Sequence, residues 1–173
     1  MRNKLLRQIG AALILLGSVA TVLAADKASQ KFITEAIQGN LAEVQVGKLA
    51  QEKGQSEGVR TFGQTLASDH SAGNEKATQV AQQLGVTPPS EPNAKQKAIY
   101  AKLSKLSGDA FDRAFAKEMV ADHKKDIKEY QNAAKKKNGP AAQYAQETLP
   151  VLQKHLDMAQ KLQAGTSGQA RSR

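Results

Sequence analysis

The sequence has no cysteine and no tryptophan, and only 4% of it is aromatic. Without cysteine there are no disulfides, thiolate metal sites or catalytic thiols, and no lipid can be attached at an N-terminal cysteine. With so few rings, the core has to be built from Ala, Leu, Val, Ile and a few Phe, which suits closely packed helices. β-Branched residues alternating with polar ones, the mark of half-buried strands, are missing throughout. So are a Ser-His-Asp arrangement, a glycine-rich phosphate loop and a His-Glu-x-x-His motif, and nothing marks the chain as an enzyme.

The first 25 residues carry a different pattern. Arg2, Lys4 and Arg7 form a positive start, Ile9 to Val22 is apolar, and Val22-Leu23-Ala24 offers small or modest residues at a cleavage site. That order is a secretory signal peptide, and the apolar run is short of the roughly 20 residues a spanning helix needs. The expectation is cleavage after Ala24 and release into the periplasm. A single domain follows over residues 26–164, then a Gly-, Ser- and Arg-rich tail over 165–173 with no fixed structure.

Charge adds little specificity. The formal net charge of +9 falls to +6 once Arg2, Lys4 and Arg7 are removed with the leader. Lys117, Lys124, Lys125, Lys128, Lys135, Lys136 and Lys137 crowd one segment. With few aromatics to stack on bases, they read as a solvated helix face. That face would touch anionic envelope polymers weakly and has no specific nucleic-acid partner.

Periodicity and stop signals predict four long helices and a short one. The first runs over 27–53 with Asp26 as its cap, and Gly54 and Gly58 bracket a tight turn. Ser56 caps the second, which ends at Leu84. Gly85-Val-Thr-Pro-Pro-Ser-Glu-Pro92 breaks the pattern. Asn93 caps a short helix to about Leu106, Gly108 stops it, and Asp109 caps the next helix to about Lys137. Asn138-Gly139-Pro140 separates that helix from the last, which runs to about Ala164, with a kink expected at Pro150. Short turns make two antiparallel hairpins, and the long middle connection makes a crossover. The fold expected is all-α, a ferritin-like four-helix bundle with a short extra helix.

All three histidines fall on apolar stripes. Phe62, Leu66, Asp69 and His70 repeat at the same spacing as Phe115, Met119, Asp122 and His123. His123 and His155 each lie 16 residues from Gly139. Glu43 lies 12 residues before Gln55 and His70 lies 15 after it, a mismatch of about 4.5 Å along a helix axis. Each long helix therefore offers one ligand-type residue, Glu43, His70, His123 or His155, to one mid-bundle layer. Imidazoles with a carboxylate suit a transition metal, with Cu or Zn foremost. Asp69 and Asp122 sit about 100° around the helix from their own histidines, so they would orient ligands on neighbouring helices. Asp126, one turn beyond His123, is an alternative ligand. The same residues also read as a satisfied polar network that fixes helix register, and a small-ligand site is a third reading.

These residues also carry a resemblance. Leu41-Ala-Glu-Val44, the two Asp-His pairs, Gly108-Asp-Ala-Phe-Asp112 and Leu149-Pro150 ahead of Lys154-His155 resemble a family of exported bacterial proteins. Its members are labelled outer-membrane or periplasmic, belong to the ferritin-like superfamily and have no assigned function. The resemblance covers about 26–162 and implies the fold without an activity. A ferritin-like di-iron centre needs Glu-x-x-His on two helices. Here Ala67, Val120 and Leu152 stand three residues before the histidines, so a di-iron cofactor is not expected.

Overall fold

The computed structural model describes residues 26–136 and 139–169. Residues 1–25, where the leader is expected, and residues 137, 138 and 170–173 lie outside the described residues. Those described form five helices with no strand among them, in the order α1 Lys27–Lys53, α2 Glu57–Gln83, α3 Ala94–Ser104, α4 Gly108–Ala134 and α5 Pro140–Gln169.

Local chemistry sets most of these boundaries. Asp26 Oδ1 accepts the Ser29 N–H at 2.8 Å and Ser56 Oγ accepts the Val59 N–H at 3.3 Å, each quenching a donor that the first turn leaves unpaired. Asn93 and Gln96 form a reciprocal capping box. At the end of α2, Gly85 takes φ +66°, and the Val86 N–H reaches the Ala81 carbonyl at 2.8 Å. This is the left-handed glycine closure that ends many helices.

Three boundaries differ from expectation. The cap of α4 is Ser107, not Asp109, because Gly108 takes φ +56° and already counts as the first helical residue. Asp109 then sits in the first turn, where its carboxylate faces the positive end of the helix dipole. α4 ends at Ala134 rather than near Lys137. α5 passes through Pro150, whose ring lies on the exposed face, and runs to Gln169 beyond the expected end at Ala164.

The helices pack as two antiparallel hairpins, α1 with α2 and α4 with α5, which meet chiefly through α2 and α5. The start of α4 lies beside the α1–α2 turn: the Asp112 carboxylate accepts the Gln55 N–H at 2.9 Å and the Ser56 N–H at 2.8 Å. At the opposite end Lys136 pairs with Asp26 at 3.1 Å. Hence α2 and α4 run in the same direction, as do α1 and α5. Within the first hairpin the backbones touch. A Cβ on Gly47 would sit 2.6 Å from the Gly63 carbonyl, and one on Gly63 would sit 2.6 Å from the Gly47 carbonyl. Only glycine permits that approach.

The core has two apolar clusters. One gathers Phe62, Leu66, Phe111, Phe115 and Met119, and the other Ile33, Ile37, Tyr130, Tyr144 and Leu152. Burying a large side chain of this kind contributes about 1.5–3 kcal/mol. Between the clusters, on all four long helices, stand the buried polar residues Asn40, Glu43, His70, His123 and His155. Lys117, Lys124, Lys125 and Lys128 of α4, and Lys135 and Lys136 just past its end, are exposed. No helix among the described residues is long and apolar enough to cross a membrane.

Candidate metal centre

Each histidine reaches the layer from a different helix: His70 from α2, His123 from α4 and His155 from α5. They are 6%, 1% and 0% exposed. Phe62 packs against the rings of His123 and His155, with centroids at 6.5 and 6.0 Å. The imidazole centroids lie 5.3 Å apart for His70 and His155, 5.4 Å for His123 and His155, and 5.9 Å for His70 and His123. One ring nitrogen from each residue lies within 4.8 Å of the other two.

Every ring has one nitrogen engaged by protein. His70 Nδ1 lies 2.9 Å from Asn40 Oδ1, His123 Nδ1 lies 3.0 Å from the Met119 carbonyl, and His155 Nε2 lies 2.9 Å from Asp69 Oδ2. In each pair the oxygen accepts, so the imidazole is the donor. The remaining nitrogens are His70 Nε2, His123 Nε2 and His155 Nδ1, all buried without a partner. Such orphaned lone pairs are costly in a protein interior. Burial is the first reason the rings stay neutral. Burial and the neighbouring imidazoles hold His70 well below the usual imidazole range. Burial, then His155, pushes His123 down to about 4. His155 is lowered by burial, against the opposing pull of Asp69.

The carboxylates divide. Asp69 meets a histidine of a neighbouring helix. Asp122 does not: it faces Glu43 across α4 and α1. Burial, then the charge of Asp122 and a hydrogen bond with it, raise the Glu43 carboxyl well above its usual range. Two carboxyls can hydrogen-bond only with a proton between them, and Glu43 is not a member of the nitrogen cluster. Asp126 lies beside Lys125 at 3.2 Å, and burial followed by the charge of Asp122 brings it to about 7. It too stands outside the cluster.

Sequence reasoning missed the supports on α1 and α5. Asn40 lies three residues before Glu43 and so shares its face, which was the available signal. Its Nδ2 donates to Tyr144 Oη at 3.1 Å, and the Tyr144 and Tyr130 hydroxyls stand 3.5 Å apart. Two clefts approach the layer. One of about 200 Å³ between α2 and α5 is lined by Asp69, His70, Leu152 and His155, and one of about 150 Å³ beside α4 reaches His70 past Asn40 and Asp126.

Three neutral imidazoles, fixed in tautomer by outward bonds, form a nitrogen donor set for a metal of the Zn or Cu type. Tetrahedral coordination with metal–nitrogen bonds of 2.0–2.1 Å needs nitrogens about 3.3 Å apart. The nitrogens would have to close by up to about 1.5 Å, within the reach of side-chain rotation.

Fold and cluster together define a class: an all-helical bundle with a buried trio of histidines between two apolar halves. The chain belongs to the DUF4142 family, a domain of unknown function, whose pattern matches residues 17–162. No curated protein matches it. Among solved structures it is similar to a DUF305 fragment from Deinococcus radiodurans, with a TM-score of 0.71 and 13% identity over 81% of this chain and 97% of that one. At that identity the likeness is one of fold.

Proposed function

We propose that this protein binds one transition-metal ion, Cu(II) or Zn(II), through His70 Nε2, His123 Nε2 and His155 Nδ1. The observation that carries this reading is the set of three buried, partnerless ring nitrogens, each on an imidazole whose other nitrogen is already bonded outward. A network built only to fix register would pair those nitrogens with one another. Glu43, expected from the sequence as fourth ligand, faces Asp122 and stands outside the cluster, so the fourth position falls to water or an incoming ligand reaching it by the α2–α5 cleft. With no carboxylate among the clustered donor atoms, the set suits a mononuclear site and not a di-iron one.

The bundle is read as ferritin-like, because two hairpins joined by a crossover run with α2 parallel to α4. Its setting is read as periplasmic, on the strength of the leader pattern at 1–25. Storage or buffering of a metal in the envelope fits a chain with no catalytic motif. Contact with anionic polymers through the exposed lysines of α4 would be weak and screened by salt.

Calorimetric titration of metal-free protein purified without a histidine tag tests the reading. One ion per chain should bind, and binding should vanish in the triple variant His70→Ala, His123→Ala, His155→Ala. At a hundredfold excess over Kd the ion should add about 2.7 kcal/mol of stability. Equal binding by wild type and triple variant would end the metal reading. Intact mass of the protein from an envelope fraction tests cleavage after Ala24.

A further inference from the structure

The three imidazoles are not held in the same way. His123 faces a backbone carbonyl and His155 faces a carboxylate. Neither oxygen can become a donor at neutral pH, so both rings have to donate outward. His70 faces the side-chain amide of Asn40, which carries an acceptor and a donor on the same carbon. A half-turn of that amide would exchange them. His70 Nδ1 would then accept from Nδ2, the ring proton would move to Nε2, and the cluster would lose one of its three lone pairs.

What decides the amide's direction lies a further side chain away. Asn40 Nδ2 donates to Tyr144 Oη at 3.1 Å, which leaves Oδ1 for His70. For Tyr144 to accept, its own proton has to go elsewhere, and the Tyr130 hydroxyl at 3.5 Å is the acceptor in place. Tyr144 is 3% exposed and Tyr130 5%, so both side chains lie in the interior, where the two hydroxyls stand within reach of each other. Phe32 meets Tyr130 edge-on at 5.0 Å and fixes the ring. Gly73 flanks the amide: a Cβ there would be in ordinary van der Waals contact with it, 3.4 Å from Asn40 Oδ1 and 3.7 Å from Nδ2.

We infer that Asn40 is the positioning residue that sets the His70 tautomer, and that Tyr144 and Tyr130 hold Asn40 in the direction that keeps His70 Nε2 free for a metal. The inference rests on the metal reading for its purpose but not for its test. Tyr130 makes no hydrogen bond to the three histidines, yet its hydroxyl governs, through a relay of three hydrogen bonds, which nitrogen of His70 carries the proton. A tyrosine pair on α4 and α5 thus acts on a proposed ligand of α2.

Long-range proton–nitrogen NMR of the metal-free full chain reads the tautomer directly. Wild-type His70 should carry its proton on Nδ1. Tyr130→Phe removes the acceptor, so the Tyr144 proton turns toward Asn40 and a second His70 population protonated on Nε2 should appear, with His123 and His155 unchanged. Zn(II) titration gives a separate measure. Asn40→Leu should weaken binding 10- to 100-fold, the usual effect of losing an outer-sphere partner, whereas Asn40→Asp, which only accepts, should retain it. If Asn40→Leu does not fold, the Tyr130→Phe spectrum decides alone. A wild-type His70 protonated on Nε2, or a Tyr130→Phe spectrum identical to wild type, overturns the inference. Should wild type fail to bind Zn(II) while His70 is protonated on Nδ1, the metal reading falls and the tautomer assignment stands.

Discussion

The polar layer has two halves that obey one geometric rule and reach different ends. On α2, Asp69 precedes His70 and reaches across to His155 of α5. On α4, Asp122 precedes His123 and reaches across to Glu43 of α1. The repeat Phe-x-x-x-Leu/Met-x-x-Asp-His sets both, since the parallel course of α2 and α4 brings each Asp to the next helix around the bundle. An imidazole against a carboxylate has one donor and one acceptor, so the pair settles and leaves the second ring nitrogen available. Two carboxyls have no donor until one takes a proton, so that pair settles by becoming neutral. The same register therefore leaves a ring nitrogen without a partner on one side and a hydrogen-bonded pair of carboxyls on the other.

The largest effect that separates the halves is in the response to acid. The histidines have folded pKa values below the unfolded value near 6.5, so the unfolded chain binds more protons between the two. Their stabilising contribution is present above about 6.5 and is lost as pH falls toward the folded values. His123 alone, lowered to about 4, accounts for about 3 kcal/mol of loss across that window. Chemical denaturation at pH 7 and pH 4 should show it, and His123→Gln should flatten the slope. The carboxyl half has the opposite sign. Asp126, raised to about 7, contributes stability fully present below about 3.8 and lost as pH rises through 7. Asp126→Asn should therefore stabilise the protein at pH 8 and leave it little changed at pH 4.

A smaller contrast concerns the two aspartates. Asp69→Asn removes a carboxylate acceptor from a ligand imidazole and should weaken Zn(II) binding by about 10- to 100-fold in calorimetry. Asp122→Asn, whose partner is Glu43, should change it by no more than a few-fold. Comparable losses in both variants would mean that Glu43 and Asp122 serve the metal after all. The smallest effect should come from Glu43→Gln, a near-isosteric swap of an acid already holding its proton. It should shift stability at pH 7 by less than about 1 kcal/mol.

Much of this was legible in the sequence because it follows from counting. Helix starts at Asp26, Ser56 and Asn93 are single-residue cap signals, and the three histidines sit on stripes whose height can be estimated from the turns. The supports were harder to read. Asn40 lies on the same face as Glu43, but an asparagine gives no sign of which partner it will meet. Tyr144 falls beside the stripe read for the last helix rather than on it, and the Met119 carbonyl is invisible to any reading of side chains. Glu43 matched its layer in height. What counting could not reveal was that Asp122 would face it and raise its carboxyl above the usual range.

Asp112 has a consequence for the time order of events. Its carboxylate joins α4 to a turn 56 residues earlier in the chain, and Lys136 joins Asp26 across 110 residues. Contacts so distant in sequence form slowly beside those within a hairpin. Each hairpin can take shape on its own, but His70 belongs to the first and His123 and His155 to the second. The nitrogen cluster therefore exists only after the hairpins have docked. An ion held there would act as a latch on a finished structure: it would lengthen the lifetime of the folded state, measurable as slower unfolding in denaturant, and leave the rate of folding almost untouched.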